Sequence, residues 1–86
     1  MYELVVATKA ADDLDKLPSR THDRVWNRIY DLRLDLRPPG ALKLVGSQQD
    51  WRIRVGDYRV IYEIDDRRRV VQVNKVRHRR TAYRQP

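Results

Sequence analysis

The stretch Trp51-Arg-Ile-Arg-Val-Gly-Asp-Tyr-Arg-Val-Ile-Tyr-Glu-Ile64 decides how this chain folds. Apolar and polar residues alternate from Trp51 to Val55, the period of a half-buried strand. Gly56-Asp57 is a two-residue break of the kind that closes a tight hairpin, and alternation resumes at Tyr58. With those two residues as the loop, Val55 faces Tyr58, Arg54 faces Arg59, Ile53 faces Val60 and Arg52 faces Ile61. Cross-strand partners share a face. Trp51, Ile53, Val55, Tyr58, Val60 and Tyr62 therefore line one side, and Arg52, Arg54 and Arg59 the other.

Like charges directly opposite one another destabilise a hairpin, so Arg54 against Arg59 requires a counter-charge. Asp50 and Glu63, paired at the hairpin's open end, are one source; an anionic ligand is the other. Asp65 to Arg68 reads as a polar turn and Val70 to Val76 as a third strand. Keeping its valines on the core side sets Tyr62 against Val71 and Val60 against Val73, with Gln72 and Asn74 beside Ile61 and Arg59. A strand continuing without a bulge gives His78 the parity of the arginine face. Arg52, Arg54, Arg59, Asn74 and His78 then gather on one side, and a bulge near Val76 would break that parity.

Working outward, Tyr2 to Val6 reads as an opening strand. Thr8 can cap a helix striped by Ala7, Ala10, Leu14 and Leu17, with Asp12 and Asp13 near the positive end of its dipole. Pro18 ends it. Ser19 or Thr21 caps a second helix whose buried side is Val25, Ile29, Leu32 and Leu36, stopped by Pro38-Pro39-Gly40. Leu42 to Val45 is a weak strand. The expected fold is α+β: an N-terminal strand, a two-helix hairpin, then a three- to four-stranded antiparallel sheet. The helices should cover Trp51, Val60, Tyr62 and Val71 and leave the arginine face open.

The 86 residues correspond to one domain, 1–86, with a thin core. Nineteen Lys and Arg against 12 Asp and Glu leave a net charge of +7, which suits nucleic acid, an acidic protein segment or an anionic surface. The chain has no cysteine, no apolar run of membrane-spanning length and no signal-peptide pattern, so a cytoplasmic protein is expected. Neither a metal nor another cofactor is expected, since no cysteine or second histidine lies near His78.

His22, among Arg20, Asp23 and Arg24, reads as a surface residue. His78 is flanked by arginines within the tail Arg77-His78-Arg79-Arg80-Thr81-Ala82-Tyr83-Arg84. That tail can be a nucleic-acid-binding arm in which Tyr83 stacks on a base, or Tyr83 can be an apolar anchor. Arginines with a histidine suit cleavage of RNA by a ribose 2′-hydroxyl. That reaction needs cations for the phosphorane and groups to take and give a proton.

Lys43-Leu44, the Trp51 to Tyr62 hairpin and Val76-x-His-Arg-Arg with Tyr83-Arg84 together resemble the RelE side of the RelE/ParE toxin superfamily, end to end. The resemblance implies a type II toxin that cleaves mRNA in the ribosomal A site and is held inactive, in a hetero-oligomer, by a cognate antitoxin. An acidic antitoxin, the ribosome and mRNA are thus the expected partners, and a membrane is not. It assigns Arg59 to the scissile phosphate, Arg79 to the transition state and Tyr83 to substrate stacking. Arg52, Arg54, Arg77 and Arg80 become RNA-binding cations. Arg52 and Arg54 stand where some members carry lysines with acid–base roles. Arginine does not give up its proton, which leaves the base open, with His78 as the substitute candidate. The competing readings are a ParE-like inhibitor of DNA gyrase without nuclease activity, and an inactive member that only binds an antitoxin.

Overall fold

The computed structural model describes residues 1–47 and 49–80. The elements run β1 (Glu3–Val6), α1 (Thr8–Asp15), α2 (Ser19–Asp31), β2 (Leu42–Lys43), β3 (Asp50–Val55), β4 (Tyr58–Asp65) and β5 (Val70–His78). The strands form one sheet in the order β1-β5-β4-β3-β2. The α+β fold expected from the sequence is present, and the sheet is completed to five strands by β1, which pairs with β5 in parallel.

The β3–β4 hairpin has the expected register throughout, from Asp50 opposite Glu63 to Val55 opposite Tyr58. Gly56 takes φ +59° in its loop, a left-handed conformation that glycine adopts without the Cβ clash other residues suffer. Helices and sheet enclose a core of Ala10, Leu14, Val25, Ile29 and Leu32 against Ile53, Val55, Val60, Tyr62, Ile64, Val71, Val73 and Val76. Tyr62 is wholly buried at its centre, and its hydroxyl donates to the carbonyl of Leu36 at 2.8 Å. Trp51 is only half-buried, with the guanidinium of Arg37 5.2 Å from its ring centroid.

The helix starts differ from the sequence reading. Ala7, not Thr8, caps α1, because its N–H already bonds the carbonyl of Val73 and its own carbonyl accepts from Ala11. Pro18 caps α2 and accepts from the N–H of His22, which draws Ser19 and Thr21 inside the helix. The second helix ends at Asp31 rather than near Leu36. The carbonyls of Ile29, Tyr30 and Asp31 accept from the N–H groups of Leu32, Arg33 and Leu34 in tighter turns. Among the described residues, no helix is long and apolar enough to cross a membrane.

The β4–β5 register is the main departure. Ile64 faces Val71 and Tyr62 faces Val73, but Ile61 faces Lys75 and Val60 faces Val76. Asn74 is thus an extra residue, a bulge that inverts the parity of everything after it. The spacing of the valines favours it. Core positions 71, 73 and 76 cannot share a face in an unbroken strand, and the insertion lets all three be buried.

Candidate functional site

The bulge re-sorts the predicted site. Arg77, which unbroken alternation would turn toward the core, lies opposite Arg59, and Arg59 lies opposite Arg54. One row across β3, β4 and β5 therefore carries three arginines side by side. The next row carries Arg52, Ile61 and Lys75. Directly opposed side chains on a sheet stand about 5 Å apart, so these charges repel unless an anion or a carboxylate lies among them.

The expectation of an open arginine face needs correction. Arg59 is only 4% exposed, Arg52 and Arg77 are half-buried, and Arg54 is exposed near the hairpin tip. The Nε atom of Arg77 is buried with no hydrogen-bond partner among the described residues. Enclosure lowers the local dielectric, which strengthens the attraction of such a row for a phosphate.

His78 does not join Arg59 as unbroken alternation predicted. It sits opposite Tyr58 on the core-facing side, and the two rings meet edge to face with centroids 5.3 Å apart. Its Nδ1 accepts the N–H of Arg80 at 3.3 Å where the chain turns helical at Arg79. The hydrogen of the neutral ring is then on Nε2. The Arg79 N–H donates to the carbonyl of Asp57 at 2.7 Å, and its Nε lies 3.9 Å from the Asp57 carboxylate. The hairpin tip thus fixes where the tail begins. Arg79 and Arg80 are exposed, and Tyr83 lies outside the described residues. His22 is paired with Asp23 at 3.0 Å on the surface of α2.

Asp13 was missed. It is not an exposed charge at the helix start but is 8% exposed, accepting from Lys9 Nζ at 2.6 Å and from the N–H of Val76 at 3.0 Å. Burial pushes its carboxyl up, but the hydrogen bonds from Lys9 and Val76 and the charges of Lys9 and Arg77 outweigh it and hold it below the usual value. The irregular valine spacing was the available signal for the bulge; a lone Asp beside Asp12 gave none for its burial.

A two-helix layer over a five-stranded sheet, with a cationic row on the opposite face, defines a small basic α+β protein. The ParE toxin family of type II toxin–antitoxin systems matches residues 4–83. The chain belongs to that family, within the RelE/ParE superfamily. The RelE–RelB complex of Pyrococcus horikoshii OT3 is similar, at 26% identity and TM-score 0.80, over 91% of this chain and 94% of that one. The RelBE2 toxin–antitoxin complex of Mycobacterium tuberculosis is 34% identical, with TM-score 0.77, over 91% and 98%. The isolated RelE toxin of E. coli shares the fold at 24% identity and TM-score 0.79, over 91% and 84%. No curated protein sequence matches the chain.

Proposed function

We propose that this toxin is an endoribonuclease that cuts mRNA on the ribosome by attack of a ribose 2′-hydroxyl on the adjacent phosphate. The observation that carries this reading is the row Arg54, Arg59, Arg77, with Arg59 enclosed at its centre. A planar guanidinium in a low-dielectric setting is suited to hold a phosphate that gains charge in the transition state. Arg59 binds the scissile phosphate, and Arg79 stabilises the phosphorane from the tail. Arg52, Arg54, Arg77 and Arg80 hold the flanking backbone, Tyr83 stacks on a base, and His78 exchanges protons from the end of β5. No step calls on a cofactor.

The toxins of similar fold from Pyrococcus horikoshii and Mycobacterium tuberculosis are found with antitoxins. The net charge of +7 supports a cognate antitoxin whose wrapping segment is acidic, in a hetero-oligomer that covers the arginine row. The cytoplasm, where ribosomes and mRNA meet, is the corresponding location.

The match to the ParE family favours a second reading, inhibition of DNA gyrase by binding alone. Primer extension on mRNA after induction, beside a gyrase supercoiling assay, separates the two. New mRNA ends with normal supercoiling support the nuclease; intact mRNA with blocked supercoiling supports the gyrase inhibitor.

A further inference from the structure

Strand β1 pairs with β5 only from Val70 to Val73. Past Val73 the flank that faced β1 has no strand beside it among the described residues, and α1 packs there instead. The N–H groups of a strand alternate between its two flanks, so one inserted residue changes which amides point outward. With Asn74 inserted, Val76 turns its N–H outward, and Asp13 Oδ2 accepts it at 3.0 Å. The other buried residues of α1 are Ala10 and Leu14, and an apolar side chain at position 13 would avoid the cost of burying a carboxylate. What an apolar side chain lacks is an acceptor for that amide.

We infer that Asp13 is a positioning residue: its bond to the Val76 N–H selects the bulged register of β5, which sets Arg77 opposite Arg59 and His78 against Tyr58. In the unbulged register Lys75 and Arg77 would turn toward the core and Val76 away from it. The hydrophobic contribution of Val76 and the acceptor on Asp13 thus favour the same register from two sides. The consequence for RNA rests on the proposed nuclease reading; the register itself does not.

The test uses the full chain, wild type beside Asp13→Asn and Asp13→Ala, followed by NMR and by binding of a 2′-deoxy-blocked single-stranded RNA oligonucleotide. Asparagine keeps an oxygen acceptor, so slow exchange of the Val76 amide, the Tyr58–His78 ring contact and near-wild-type affinity should all survive in Asp13→Asn. In Asp13→Ala, at a temperature where both variants are folded, all three should be lost, with affinity falling about tenfold. An alanine variant that keeps the ring contact and the affinity overturns the inference. So does an asparagine variant that loses both, since charge rather than the acceptor would then be at work. If Asp13→Ala fails to fold, the Val76 amide resonance decides: it must shift in Asp13→Asn, and an unmoved resonance overturns the inference. A register change in Asp13→Ala, with no mRNA cleavage even by wild type, upholds the positioning role and removes the nuclease reading alone.

Discussion

Tyr58 and His78 meet edge to face at the end of the sheet, ring planes at 89° and centroids 5.3 Å apart. His78 is therefore oriented by packing on one side and by the Arg80 N–H on its Nδ1. A histidine held this way can serve as an acid–base group, because its reference pKa lies near neutrality.

His78→Ala should slow single-turnover cleavage on programmed ribosomes by about 10²–10⁴-fold. His78→Gln should be nearly as slow, although it can accept the Arg80 N–H and fill similar space. A near-wild-type rate for the glutamine variant would take His78 out of the chemistry and leave it as a cap for the tail.

Arg59→Ala should relieve growth arrest, with a loss of about 2–4 kcal/mol of transition-state stabilisation. Arg59→Lys should recover little, because an ammonium cannot reproduce the planar two-point contact of a guanidinium with phosphate. Thermal melting keeps the comparison fair, since Arg59 is 4% exposed and its removal disturbs packing as well as charge. Full toxicity in a normally melting Arg59→Ala protein contradicts the phosphate role.

The hairpin was legible because alternation, a Gly-Asp loop and two arginines left one register open to it, and that register is present. The third strand was legible as a strand but not in its pairing. Period-2 reasoning carried His78 to the arginine face, whereas burial of Val71, Val73 and Val76 together requires the extra residue at Asn74. That single insertion sets Arg77, where the sequence reading had Asn74, opposite Arg59 and turns His78 to the other face. The role of Asp13 was hidden for a different reason. A buried carboxylate depends on partners distant in sequence, here the Val76 N–H, and helix periodicity carries no trace of them. Caps failed for a related cause: backbone carbonyls of Ala7 and Pro18 open the helices that the sequence assigns to Thr8 and Ser19.

Tyr62 should behave as the keystone of the core. Tyr62→Ala should cost about 3–5 kcal/mol in chemical denaturation, and Tyr62→Phe about 0.5–1.5 kcal/mol for the lost bond to Leu36. Burial pushes the Tyr62 phenol up from 10.0 to about 12. The folded protein keeps that proton where the unfolded chain sheds it, so stability should fall as pH rises through this interval. The phenylalanine variant should lack that component; an identical alkaline slope would place the phenol in water.

Acid should weaken the protein through Asp13. Its carboxyl titrates below the ordinary 3.8 when folded, so its contribution is complete above that value and is lost as pH falls through the folded pKa. Lys9 from its own helix and Arg77 from β5 are the charges that hold it down, alongside the Val76 N–H. Asp66 is lowered too, by bonds from Tyr2 and Arg37, and contributes in the same window. The difference between wild type and Asp13→Asn should therefore shrink on acidification without abolishing the acid slope. A difference that stays constant below pH 3.8 would show that Asp13 does not gain its partners on folding.

The most direct measurement incubates purified toxin with ribosomes programmed with a defined mRNA, in chelator, and analyses the ends of the RNA. Cleavage by 2′-hydroxyl attack predicts a cut at the A-site codon, a 2′,3′-cyclic phosphate upstream and a 5′-hydroxyl downstream, all lost in Arg59→Ala. Intact mRNA under these conditions, while the same protein blocks gyrase supercoiling, would contradict the nuclease account and leave the arginine row a surface for a different partner.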